Sequence, residues 1–159
     1  MVTQVSTAEV WDWLESVPDP EIPVVSVVEL GIVREVAWSE DTGDAILVIT
    51  VTPTYSGCPA TEVIAGDIES EIRDHGVNNI RVETQIAPAW RTEWISDTGR
   101  QKLKEYGIAP PIEAGRQQPP CPRCNSNDTR RVSEFGSTPC KALFQCESCL
   151  EPFDYFKCH

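Results

Sequence analysis

Apolar residues at Val10, Trp11, Leu14 and Val17 recur at helical spacing, so STAEVWDWLESV predicts a short amphipathic helix. Ser6, with Glu9 three residues on, supplies a capping box at its start. Pro18, Pro20 and Pro23 end the helix and stiffen the connection PDPEIP, where Asp19 and Glu21 are expected as solvated loop carboxylates or as a fixed acidic turn near a site. VVSVVELGIV is too apolar for a surface loop, and Gly31 breaks it before GIVREVAW alternates as a strand. EDTGD is a hairpin turn with Gly43 available for positive φ, and AILVITVTPT follows as a strand buried on much of both faces. Val63, Ile64, Ile68 and Ile72 return to helical spacing, and Gly76 ends that helix. NNIRVETQIAP reads as a third strand, and Ser96 or Asp97 starts a helix running through Lys104. This order describes a small α+β domain over residues 1–109, a three-stranded sheet with covering helices.

Residues 110–120, PPIEAGRQQPP, lack hydrophobic periodicity and read as a semi-rigid linker. Beyond it lies a module of different character. Cys121-Pro-Arg-Cys124 and Cys146-Glu-Ser-Cys149 are two C-x-x-C pairs separated by 21 residues. Each pair can turn two sulfurs toward one point, and four thiolates satisfy the tetrahedral preference of zinc. TRRVSEF, KALFQC and EPFDYFKC supply strands, so residues 121–159 predict a zinc ribbon. So small a unit has too little apolar core to fold alone, which makes metal binding a main source of its stability. Iron on the same four sulfurs is the competing reading, and a thiol redox pair the minor one. Cys140 and Cys158 are left over, as packed cysteines or as further metal or cluster contacts, and His159 is a weak ligand candidate at the chain end.

The stretch TPTYSGCPAT carries the remaining chemistry. A hydrophobic strand runs there into a turn that sets Cys58 against Pro59, and proline favours the first helical position. Cys58 is therefore expected as the N-cap of the second helix. There the unpaired N–H groups and the positive end of the helix dipole favour a thiolate, a potential nucleophile or metal ligand. The alternative is a buried structural cysteine.

Charge and composition narrow these options. The net charge is −12, and residues 1–109 hold 7 basic and 19 acidic side chains against 5 of each in 121–159. An acidic body repels phosphate backbones and argues against a nucleic-acid role. The start shows no basic region followed by an apolar core, and no apolar run approaches a membrane span, so a cytoplasmic protein with reduced thiols is expected. The two histidines, His75 and His159, offer Cys58 no convincing base, and no Glu-x-x-His pair is present to build a di-iron site.

DPEIPVVSVVELGIV, TPTYSGCPA and PAWRTEWISDTGRQKL together resemble the small metal–sulfur cluster assembly domains of iron–sulfur protein maturation. The ribbon, with FGSTPCKALFQCESCLEPFDYFKC, is similar to the PaaD family of bacterial phenylacetyl-CoA epoxidase systems. The resemblance implies a non-enzymatic accessory role in maturing or supporting the metal centres of a multicomponent oxygenase. Its partners would be the other epoxidase subunits, with a homodimer as one way to complete a cluster site. It implies Cys58 as the reactive cysteine, Asp19 as the acidic position of the D-P-E turn, and Cys121, Cys124, Cys146 and Cys149 as ribbon ligands. Zinc in the ribbon and a labile iron–sulfur cluster or iron at Cys58 are the implied cofactors. A zinc-stabilised adaptor role without cluster transfer is the alternative.

Overall fold

The computed structural model describes residues 4–55, 57–112 and 118–156, so Cys158 and His159 lie outside the described residues. The chain divides into two compact units, Met1–Trp90 and Arg91–His159.

The first unit opens with α1 (Thr7–Leu14), whose capping box is formed: Glu9 N–H donates to Ser6 Oγ at 3.3 Å, and Ser6 N–H donates to Glu9 Oε2 at 3.1 Å. Val10 and Leu14 are its buried face. β1 (Val33–Asp41) and β2 (Asp44–Val51) form an antiparallel hairpin closed by Thr42 and Gly43, both at positive φ (51° and 92°). Positive φ at both central residues is what a two-residue turn needs to match strand twist. β2 then crosses through α2 (Thr61–Asp74) to β3 (Ile80–Thr84), which pairs with β2 in parallel, giving the order β1-β2-β3.

The expectation for β2 needs correction. Leu47, Ile49 and Val51 are fully buried, while Ile46, Val48 and Thr50 are only half-buried. The strand alternates between one covered and one partly open face. On α2 the stripe Ile64, Ile68 and Ile72 is buried, each contributing roughly 1.5–3 kcal/mol of transfer free energy. Trp90 closes the unit as a core residue, its indole N–H donating to Leu30 O at 2.8 Å.

The second unit contains α3 (Asp97–Glu105), capped by Ser96, whose Oγ accepts from Gly99 N–H at 3.0 Å. After it come β4 (Ile108–Ala109), β5 (Thr129–Ser133), β6 (Lys141–Cys146) and β7 (Pro152–Phe156), in the sheet order β4-β7-β6-β5. The sequence suggested a domain boundary at 109/110, whereas the compact units divide at Trp90/Arg91. Two contacts account for the difference. β4 pairs with β7, Ile108 opposite Asp154 and Ala109 opposite Tyr155. Arg100 donates to Thr92 O at 2.7 Å and to Pro111 O at 3.0 Å, tying the residues on both sides of α3 together. Residues 113–117, in the middle of the expected linker, lie outside the described residues.

Candidate metal centre and the Cys58 loop

Cys121 and Cys124 stand on the turn before β5, and Cys146 and Cys149 on the turn between β6 and β7. The two turns are built alike. The N–H of the first cysteine donates to the carbonyl five residues on, Cys121 to Ser126 at 2.9 Å and Cys146 to Glu151 at 3.0 Å. The residue after the second cysteine is left-handed in each, Asn125 at φ 62° and Leu150 at φ 66°. Within each turn a backbone N–H points at a sulfur: Arg123 N–H to Cys121 Sγ and Cys149 N–H to Cys146 Sγ, both at 3.4 Å.

This repetition brings four sulfurs to one place. Cys121 Sγ lies 3.8 Å from Cys149 Sγ, Cys124 Sγ lies 3.5 Å from Cys146 Sγ, and all four lie within 4.8 Å of one another. A tetrahedron of thiolates with metal–sulfur bonds of about 2.3 Å has edges of about 3.8 Å, so the donor set fits zinc. Cys121 and Cys146 are fully buried and belong to the apolar cluster of Ala109, Ala142, Phe144 and Phe153, while Cys124 and Cys149 are exposed. The site is therefore part of the ribbon's core, not an attachment to it.

The electrostatics show what a metal must overcome. The Cys149 N–H holds the Cys146 thiol down to about 6 despite its burial. At Cys149 the Glu151 N–H acts in the same sense, but partial desolvation of this exposed thiol and the neighbouring Cys146, Cys124 and Cys121 sulfurs win, pushing it up to about 12. Four close sulfurs cannot all carry negative charge without a cation, so zinc binding displaces protons here. Cys140 is buried too, but it is held differently: its Sγ meets Thr138 Oγ1 at 2.9 Å, and it stands outside the four-sulfur group.

Cys58 is not the N-cap expected for it. α2 starts at Thr61 with Ala60 as N-cap in helical conformation (φ −74°, ψ −12°), a residue that makes no side-chain cap. The physical reason is that Cys58 is engaged in turns on both sides. Its N–H donates to Tyr55 O at 3.3 Å, and its carbonyl accepts from Thr61 N–H at 3.2 Å and Thr61 Oγ1 at 2.8 Å. Gly57 at φ 77° lets the chain turn into this arrangement. Cys58 is half-buried. His75 caps the far end of α2, and a 14-residue helix is about 20 Å long, so it cannot act as a base on Cys58. It stacks instead on Trp13, with ring centroids 4.2 Å apart.

Asp19 is not a solvated loop carboxylate. It is 6% exposed, and its Oδ1 accepts from Glu21 N–H at 2.9 Å and Ile22 N–H at 2.8 Å, so the D-P-E turn is a fixed one. Further buried polar residues near this turn and the Cys58 loop, Ser26, Glu29 and Thr52, were not expected from the sequence. Glu29 is buried in a reciprocal pair with Ser26: Ser26 N–H donates to Glu29 Oε2 at 2.9 Å and Glu29 N–H to Ser26 Oγ at 3.0 Å. The pattern S-V-V-E was the available signal, since it is the capping-box spacing. Thr52, at the start of the Cys58 loop, is 2% exposed, and its hydroxyl makes no hydrogen bond among the described residues. Among these residues no helix is long and apolar enough to cross a membrane.

Comparison with known proteins bears on both units. Residues 7–83 match the family described as iron–sulfur cluster assembly protein, and residues 110–157 match the PaaD zinc beta ribbon domain. An Escherichia coli protein provisionally named as a component of 1,2-phenylacetyl-CoA epoxidase is 49% identical over 94% of this chain and 92% of its own length. An Fe-S protein maturation auxiliary factor of Porphyromonas gingivalis is 32% identical over 57% of this chain and 83% of its own. Among solved structures, a DUF59 domain of unknown function from Bacillus anthracis has 33% identity and a TM-score of 0.54, covering 60% of this chain and 89% of that one. A conserved hypothetical protein from Thermotoga maritima has 32% identity and a TM-score of 0.50, covering 65% of this chain and 98% of that one. With an assembly-type domain, a four-sulfur ribbon and near full-length similarity, the chain belongs to the PaaD family of phenylacetyl-CoA epoxidase proteins.

Proposed function

We propose that this protein is an accessory factor that assembles or delivers an iron–sulfur or iron cofactor to a multicomponent phenylacetyl-CoA epoxidase, with Cys58 as the labile ligand. The observation that carries this reading is the separation of two kinds of cysteine. Four sulfurs gather into a closed set that suits structural zinc, while Cys58 sits half-buried on a turn outside that set. A transfer ligand needs that independence, because a thiolate committed to a tetrahedral zinc site cannot also release a cargo. One thiolate does not fill the four positions of a usual cluster, so the remaining ligands come from a second chain or from the acceptor. The buried Asp19 turn has a fixing role in this reading, holding the backbone that precedes the sheet. The epoxidation chemistry belongs to the partner subunits.

The test is iron and sulfide content after anaerobic reconstitution, compared between the wild type and Cys58→Ala with zinc measured in both. Loss of iron at unchanged zinc is the expected result. Equal iron loading in the two proteins removes Cys58 from the mechanism.

One observation favours the adaptor alternative. The second unit exposes Val132, Phe135 and Leu150 at 49%, 62% and 65%, large apolar side chains of the kind that anchor protein interfaces. In that reading zinc maintains a docking surface, and Cys58→Ser keeps partner activity while loss of Cys121 or Cys146 abolishes binding to the other epoxidase components.

A further inference from the structure

The three-stranded sheet ends on β3, and its register defines what that edge offers. Leu47 lies opposite Ile80, Ile49 opposite Val82 and Val51 opposite Thr84. Leu47 N–H donates to Asn79 O at 2.9 Å and Gln85 N–H to Val51 O at 2.8 Å, which sets the phase of the ladder. Backbone groups alternate sides along a strand, so Asn79, Arg81, Glu83 and Gln85 face β2. The N–H and C=O groups of Ile80, Val82 and Thr84 therefore face away from it, where the sheet has no further strand among the described residues.

The side chains alternate as well. Ile80 and Val82 are half-buried, whereas Arg81 and Glu83 are exposed and on the opposite face, with Arg81 Nε 2.9 Å from Glu83 Oε1. We propose that β3 is a homodimerisation edge, pairing antiparallel with β3 of a second copy about a two-fold axis at Val82. In that register Val82 meets Val82 and Ile80 meets Thr84 as hydrogen-bonded pairs, which uses the groups that β2 leaves free. Arg81 then lies opposite Glu83 of the second copy, and Glu83 opposite its Arg81, at the closely spaced positions between those bonds.

The charges select this register over its neighbours. Hydrogen bonding allows only shifts of two residues, and these place Arg81 on Arg81 or Glu83 on Glu83. Like charges directly opposite are destabilising. An edge of a single sign would repel a second copy, which is how exposed edges are commonly protected. Here the alternation of sign makes the strand complementary to itself. A five-residue strand pair buries less than a standard protein interface, so the dimer is weak and concentration-dependent.

Sedimentation velocity on the full zinc-loaded chain, across a concentration series reaching about 1 mM, tests this. The wild type is expected to show a monomer–dimer equilibrium. Arg81→Glu and Glu83→Arg each place two like-charge pairs across the axis and should weaken the dimer roughly tenfold or more. The double variant Arg81→Glu/Glu83→Arg restores complementarity and should restore the dimer. Val82→Pro removes an N–H that β2 does not use and should abolish dimerisation with the circular dichroism of the sheet retained. A wild type that stays monomeric throughout, a dimer indifferent to either single reversal, or a double variant that remains monomeric overturns the proposal.

Discussion

Cys124 Sγ and Cys146 Sγ lie 3.5 Å apart although their residues are 22 apart in the chain. The contact joins the turn before β5 to the turn after β6, so the metal site and the antiparallel sheet close together. Zinc binding and ribbon folding are consequently one equilibrium.

Cys146→Ser should remove the ribbon as a folded unit. Cys146 is fully buried among Phe144, Phe153 and Ala142, so its loss affects core and ligand set at once. Zinc should fall from about one ion per chain to near none, with proteolytic cleavage appearing between β5 and β7. Full zinc retention with an intact, protected ribbon would contradict the coupling.

Zinc affinity should rise with pH. At neutral pH the Cys149 thiol, pushed up to about 12 by partial desolvation and neighbouring sulfurs against the pull of the Glu151 N–H, must release its proton to bind metal. Below about 6, Cys146 takes up a proton as well, because the Cys149 N–H holds its thiol at that value and no lower. Acidification therefore favours release, most steeply below that point. A chromophoric zinc indicator followed against pH reads this directly, and a flat profile from about pH 5 to 8 would sink it.

Gly136→Ala should destabilise the second unit by about 1–3 kcal/mol, the usual range for overpacking. A Cβ at Gly136 would stand 2.5 Å from Asp154 Oδ1 and 3.4 Å from Lys141 O. It displaces the Asp154 carboxylate, which accepts from Ser137 Oγ at 3.2 Å, while Lys141 O, the acceptor of the Gly136 N–H at 2.7 Å, stays at contact distance. Thermal unfolding of the zinc-loaded protein measures the change, and an unaltered midpoint would refute it.

Ser6→Ala should cost about 1 kcal/mol through loss of the α1 cap. The same box has a pH signature. Hydrogen bonds from Ser6 hold the Glu9 carboxyl below its ordinary value of 4.5. A depressed carboxyl stabilises the fold above its unfolded pKa, and that contribution is lost as pH falls through the folded one. The wild type and Glu9→Gln should therefore converge in stability in acid and separate near neutrality, as chemical denaturation at several pH values would reveal. A gap that persists undiminished in acid would contradict this assignment.

The gathering of Cys121, Cys124, Cys146 and Cys149 was legible because each C-x-x-C turn is a local structure, and spacing alone brings its two sulfurs together. The helix stripe Ile64, Ile68 and Ile72 and the Ser6–Glu9 box were legible for the same reason. Cys58 was misplaced by a few residues of helix boundary. Proline after cysteine suits a helix start, but the Cys58 carbonyl accepts from Thr61, and the helix begins only there. For Asp19 a solvated carboxylate and a fixed acidic turn both stayed open, because residue types in a proline-rich loop do not by themselves show that Glu21 and Ile22 turn their N–H groups onto it.

Short-range periodicity and motif spacing were enough to place the three helices to within a few residues, the strands other than β4, and the two C-x-x-C turns. Which unit Ile108 and Ala109 join depends on the fold, since their pairing with Asp154 and Tyr155 needs chain returning from far along the sequence. The fold also sets which edge of the first sheet has no further strand among the described residues, with the backbone of Ile80, Val82 and Thr84 facing away from β2. The Cys58 turn belongs to both: its residue types mark a site, and its hydrogen bonds to Tyr55 and Thr61 settle where the thiol stands.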